Sequence, residues 1–171
     1  MTRLREPTIR LCTKAAAECA CQGLRRASRA ITRLYEATLA AFDLTATQFT
    51  ILVALSLRDP VPLSRLAQDL VLDRTSLYRA VKPLERRGCL RTLAGRTQRE
   101  RTAELTQKGR RLLEDALPEW ERVQQRLVGT LGPRAWAIMQ SAIDRVVPAV
   151  RAIESGEAPA RPGRRRRATR G

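Results

Sequence analysis

The sequence predicts a mainly α fold: a winged helix-turn-helix flanked by long N- and C-terminal dimerisation helices. Three observations carry this. Residues 62–106 run in the order short amphipathic helix, tight turn, second helix, β-hairpin. Long apolar stripes at three-and-four spacing lie on both sides of that segment. A chain of 171 residues with only 4% aromatics has too little interior to bury every stripe, which points to a partner subunit. The expected organisation is a flexible N-terminus over 1–9, a helical dimerisation region from 10–44 and 107–153, the winged unit over 45–106, and a disordered Arg-rich tail over 154–171.

Residues 10–42 read as one long helix, with Leu24, Ala27, Ile31, Leu34 and Thr38 along one face. Phe42-Asp43-Leu44 breaks it. The next helix opens on a complete start signal, with Thr45 and Gln48 spaced as a capping box and Leu44 and Phe49 as a hydrophobic staple. Its expected face is Phe49, Leu52, Val53 and Ser56, and Asp59-Pro60-Val61-Pro62 ends it. A short helix follows from Leu63 to Leu70, then a turn to Asp73, which is placed to cap a second helix from Arg74 to Arg87. Gly88 fits the left-handed position that closes that helix. Pro83 inside it removes a hydrogen bond to the Arg79 carbonyl, at a cost of about 3 kcal/mol in an ordinary helix. Either packing absorbs the resulting kink, or the kink aims the first half of the helix outward.

Strands are expected at Leu90–Leu93 and Arg101–Leu105, joined by a basic loop through Gly95, Arg96, Gln98, Arg99 and Arg101. Thr106 looks like the cap of a long helix, Gln107–Leu131, striped by Leu113, Ala116, Trp120, Val123, Leu127 and Leu131. Pro118 should bend it. Gly132-Pro133 leads into a last helix whose Trp136, Met139, Ile143, Val146, Val150 and Ile153 alternate three and four without a slip, the spacing of a helix-on-helix seam. A homodimer built from both ends of the chain explains these stripes.

The second helix of the motif carries Arg74, Thr75, Ser76, Tyr78, Arg79, Lys82 and Arg86, mostly away from its apolar stripe of Leu77, Val81 and Leu84. An α-helix fits the major groove of B-DNA, and its N-terminal side chains can reach base edges. Thr75, Ser76 and Arg79 are the base-edge candidates; Arg74, Tyr78 and Lys82 are candidates for phosphate contacts. Ser64 joins the candidate DNA-binding set from the first helix of the motif, and Arg96 and Arg99 from the loop.

The formal net charge is +16, from 33 basic and 17 acidic residues, which favours a polyanionic partner. Thirty of the basic residues are Arg, a skew that a GC-rich genome produces by itself. Charge is therefore supporting evidence only. Six Arg fall within residues 161–171. No apolar run reaches the roughly 18 residues of a membrane span, and the charged first ten residues lack a signal core, so a cytoplasmic location is expected. With no His, no nucleophile–base pair, no glycine-rich phosphate loop and no metal-ligand spacing, neither an enzyme, a cofactor nor a metal is expected.

Five segments in order resemble the MarR family of bacterial transcriptional regulators. They are Leu44-Thr45-Ala46-Thr47-Gln48-Phe49, Leu63-Ser64-Arg65-Leu66-Ala67, Leu72-Asp73-Arg74-Thr75-Ser76-Leu77, Leu84-Glu85-Arg86-Arg87-Gly88 and Leu105-Thr106-Gln107-Lys108-Gly109. The resemblance covers roughly residues 10–153. It implies an obligate homodimer, usually a repressor, with two winged lobes on a pseudo-palindromic operator about one helical turn of DNA apart. It also implies release by a small phenolic or otherwise lipophilic ligand, for which Tyr35, Phe49 and Trp120 are candidate pocket linings. The family's wing commonly carries Asp-x-Arg. Here Thr97 stands at the acid's place and Arg99 remains as the candidate for the minor groove, where narrow A·T-rich stretches attract guanidinium.

Cys21 lies fourteen residues before Tyr35, matching half of the constellation of the family's hydroperoxide sensors; the place of their second tyrosine holds Ala46. An oxidant-sensing regulator using Cys21 is therefore one alternative. The plainer reading makes Cys12, Cys19 and Cys21 small apolar residues in a dimer core and Cys89 structural. A nonspecific architectural protein that coats DNA through charge is the other alternative.

Overall fold

The computed structural model describes residues 4–94 and 101–156. Arg96, Thr97 and Arg99 of the wing loop, and the Arg-rich stretch from 161, lie outside the described residues. The chain divides into two compact units, residues 1–124 and 125–171.

In the first unit the expected helix from residue 10 is two helices, α1 (Glu6–Glu18) and α2 (Ala20–Leu39). Pro7 in the first turn and Glu6 at the positive end of the helix dipole favour this earlier start. The break falls at Cys19, whose ψ of 108° is extended. No Pro or Gly stands there to announce it. A single 3-10 turn, Ala40–Phe42, follows α2, and Asp43 takes a left-handed φ of 51°. The Leu44 N–H then donates to the Leu39 carbonyl at 3.2 Å, closing the helix end.

The capping box of α3 (Ala46–Leu57) is made on both sides. The Gln48 N–H donates to Thr45 Oγ1 at 3.2 Å and the Thr45 N–H donates to Gln48 Oε1 at 3.0 Å. Leu44 and Phe49, the staple pair, are both buried. The buried face of α3 is wider than the stripe read from sequence: Gln48, Phe49, Ile51, Leu52 and Leu55 are buried, Val53 is half-buried and Ser56 is exposed. A helix packed against α2 on one side and other core elements elsewhere has little solvent face to keep polar.

Then comes β1 (Val61–Pro62), a two-residue strand that the sequence did not suggest. Proline suits it because β1 sits at a sheet edge, where a missing N–H leaves no central ladder bond unmade. The next elements are α4 (Leu63–Asp69), α5 (Arg74–Arg86), β2 (Leu90–Ala94) and β3 (Arg101–Leu105). The antiparallel sheet has the order β1-β3-β2, with Leu90 opposite Leu105 and Val61 opposite Ala103. Leu77, Val81 and Leu84 of α5 are buried, as the stripe predicts. The helix ends in a Schellman motif: Cys89 N–H donates to Leu84 O and Gly88 N–H to Glu85 O, both at 2.9 Å, with Gly88 at φ 69°.

Helix α6 (Gln107–Leu131) runs unbroken through Pro118. Thr106 caps it, accepting from Gly109 N–H at 3.1 Å while its hydroxyl donates to the Gly88 carbonyl at 2.6 Å. Gly109 is fixed by close approach, since a Cβ there would stand 1.9 Å from the Cys89 carbonyl oxygen. The core of this unit gathers α3, α4, α5, the sheet and the first turns of α6 around Ile51, Leu52, Leu66, Leu84 and Leu90.

In the second unit, Gly132 at φ 81° precedes α7 (Pro133–Glu154), which buries no residue of its own. Among the described residues no single helix is long and apolar enough to cross a membrane.

Candidate nucleic-acid interface

Helix α5 is held at both ends by short-range chemistry. At its start Asp73 accepts from the Ser76 N–H at 2.9 Å and from the Ser76 hydroxyl at 2.6 Å. The Ser76 hydroxyl, followed by its backbone N–H, holds the Asp73 carboxyl below its ordinary value. Between the caps, one face is committed to the core. The other exposes Arg74, Thr75, Arg79, Lys82 and Arg86. Ser76 is half-buried and spends its hydroxyl proton on Asp73, leaving acceptor lone pairs for a base or phosphate partner. Tyr78 is half-buried, with the Arg74 guanidinium 5.7 Å from its ring centroid.

Charge on this face is uncompensated. Among the described residues no carboxylate pairs with Arg74, Arg79, Lys82 or Arg86, whereas four arginines elsewhere on the lobe, Arg58, Arg65, Arg91 and Arg110, are paired. Asp69 holds Arg58 at 3.1 Å and Arg65 at 3.0 Å, Glu104 pairs with Arg91, and Asp59 with Arg110. Glu85, the one acid on α5, is drawn to β2, where it accepts from the Thr92 N–H at 3.2 Å and from the Thr92 hydroxyl. The result is a basic helix face with its own carboxylate turned aside.

Ser64 is exposed in the first turn of α4 and lines a cleft of about 230 Å³ with Leu63, Ala67, Arg74, Leu77, Tyr78 and Arg101. The structure thus brings Ser64, Arg74 and Tyr78 together. Arg101 is a basic residue on this cleft that the site assignment from sequence left out; its guanidinium donates to Thr92 Oγ1 at 3.1 Å. Its place in the basic loop read from sequence was the signal that could have added it to the set. Arg87 was missed as well. It donates from one guanidinium nitrogen to Asp43 O at 2.5 Å and from the other to Phe42 O at 2.9 Å.

The three aromatic residues considered as a ligand pocket share one cluster. Phe49 and Trp120 stack with centroids 6.0 Å apart and planes 25° from parallel. Tyr35 packs on the same core and donates its hydroxyl to Gln124 Oε1, and burial pushes its pKa up. Cys12, Cys19 and Cys21 are exposed on this chain and Cys89 is buried. Among the described residues no group of His, Cys, Asp and Glu side chains is arranged to hold a metal ion.

Comparison with known proteins places these features. The model of the family described as MarR matches residues 44–94, the span from the staple leucine to the end of β2. The structure of the M. tuberculosis transcriptional regulator MosR in complex with DNA is similar at 36% identity, covering 80% of this chain and 98% of that one, with a TM-score of 0.71. A Bordetella bronchiseptica BpsR structure, concerned with regulation of DNA binding by 6-hydroxynicotinic acid, has 24% identity, 76% and 99% coverage, and a TM-score of 0.69. A cysteine-to-serine variant of E. coli MarR complexed with operator DNA has 20% identity, 79% and 98% coverage, and a TM-score of 0.70. The last two establish likeness of fold alone. No curated protein sequence matches the chain.

Proposed function

The chain belongs to the MarR family of DNA-binding transcription regulators, and from that premise we propose that it is a homodimeric repressor of a pseudo-palindromic operator, released by a small ligand. The observation that carries this reading is the basic face of α5, stripped of its own carboxylate and flanked by the cleft at Ser64 and Arg101. An α-helix so charged enters the major groove with phosphates to either side, and the side chains near its N-terminus meet base edges. Thr75, Ser76 and Arg79 read bases; Arg74, Tyr78, Lys82 and Ser64 hold the backbone. Arg96 and Arg99 complete the set from sequence.

The homodimer rests on helices that bury almost nothing among the described residues: α1 and α7 have no buried residue, and α2 has only Leu39. Ligand release rests on the aromatic cluster of Tyr35, Phe49 and Trp120 and on the likeness to BpsR, whose DNA binding is regulated by 6-hydroxynicotinic acid. A lipophilic aromatic acid that prefers one spacing of the lobes lowers operator affinity by its differential affinity for the two spacings.

Selecting bound fragments from random DNA with the purified protein tests the whole reading. The expected product is one inverted repeat with half-sites one helical turn apart. Enrichment of no sequence, with a steep salt dependence, would leave only a charge-driven DNA coat. Within the selected site, Arg79→Ala should lower affinity by about 1–3 kcal/mol and relax preference at one position per half-site. A loss uniform across all sequences reassigns Arg79 to the backbone.

A further inference from the structure

We propose that Arg87 is a positioning residue that sets the angle of the recognition helix α5 against the dimerisation helix α2, and through it the half-site spacing the protein accepts. This inference rests on the homodimeric operator-binding reading above.

The geometry begins with two helix ends. The α2 helix and its 3-10 extension finish at Phe42 and Asp43, where carbonyls have no intrahelical partner and carry the negative end of the helix dipole. Helix α5 finishes at Arg87, its C-cap, just before the left-handed Gly88. The half-buried Arg87 side chain crosses from one end to the other, and its two terminal nitrogens take the Asp43 and Phe42 carbonyls at 2.5 and 2.9 Å. A planar guanidinium with donors in a fixed fork holds an orientation as well as a distance, which an ammonium on a flexible stem does not. One residue therefore clasps the two elements whose relative angle matters for operator fit.

The lever is long. At 1.5 Å per residue, the thirteen residues of α5 put its N-terminus roughly 20 Å from the clasp. A tilt of about 5° at Arg87 moves that tip by roughly 1.7 Å, well beyond the tolerance of a hydrogen bond to a base edge. Arg87 lies at the opposite end of α5 from Asp73, Thr75 and Ser76. It acts on the reading end by holding the far end still.

The test uses the full-length protein and the operator recovered by selection, alongside versions with the half-sites moved one base pair closer or farther. Arg87→Met removes the donors and keeps the length; Arg87→Lys keeps the charge without the fork. For Arg87→Met, affinity for the selected operator should fall about tenfold and the preference for its spacing at least threefold. Base preferences inside each half-site and the slope of log affinity against log salt should stay as in the wild type. Arg87→Lys should keep the wild-type melting temperature to within a few degrees yet lose the same spacing preference; should Arg87→Met not fold, this variant decides. Unchanged spacing preference in a folded variant overturns the proposal. So does a salt slope reduced by about one, which would make Arg87 a phosphate contact. A wild-type protein that is monomeric or favours no sequence would instead sink the reading beneath it.

Discussion

The winged lobe and the terminal helices are both amphipathic, yet they end in opposite states. Ile51, Leu52, Leu55, Leu84 and Ala103 of the lobe reach 0% exposure, while on α7 Ile138 and Ile153 stand 62% and 76% exposed. The lobe closes on itself because a sheet, a capped helix-turn-helix and the start of α6 supply partners from several directions. The seam of α7 has the right spacing, yet none of its residues is buried among the described residues. A periodic stripe therefore says that a face must be buried, and says nothing about which chain buries it.

The sharpest way to break the lobe is at its closest approach. Gly109→Ala drives a Cβ to 1.9 Å from a backbone oxygen that no side-chain rotation can move, so unfolding free energy should fall by about 3 kcal/mol, read as a lower urea midpoint. An unchanged midpoint would mean that α6 slides freely on Cys89. On the terminal side, Ile143→Asp places a charge in the seam. The dimer should weaken by about 2 kcal/mol, roughly thirtyfold in dissociation constant by sedimentation equilibrium, with the lobe still folded. A dimer indifferent to that change does not use this face.

Smaller effects sharpen the contrast. Gly129 sits on the same helix as Gly109, but a Cβ there meets nothing within 4 Å, so Gly129→Ala should stabilise by about 0.5–1 kcal/mol. The smallest change is at Asp73. Its folded pKa is lowered, so its stabilisation is present above the ordinary carboxylate range and is lost as pH falls through the depressed folded value. Asn caps a helix without titrating, so melting temperatures of Asp73→Asn should fall less steeply with acid than those of the wild type. Identical acid limbs would remove Asp73 from the account.

Much of the lobe was legible because its signals are short. Thr45 and Gln48 are three apart, Asp73 and Ser76 likewise, and Gly88 follows directly on the helix it closes. Each bond joins groups that the local backbone already brings within reach. The solvent face of α5 was legible for the same reason, since a period of 3.6 separates Leu77, Val81 and Leu84 from Arg79 and Lys82. The break at Cys19 was not, because nothing in the neighbouring residue types disfavours helix there.

What the order of residues determined alone is thus most of the lobe's elements, their caps and the solvent face of α5, but neither the break at Cys19, nor β1, nor the full buried face of α3. Tertiary structure decided what lies far apart along the chain. It paired Val61 with Ala103, set Gly109 against Cys89, turned Glu85 to Thr92 and carried Arg87 across to residues 42 and 43. Periodicity and capping act within a turn or two of backbone, whereas these contacts depend on how whole elements pack, and no local pattern specifies that geometry.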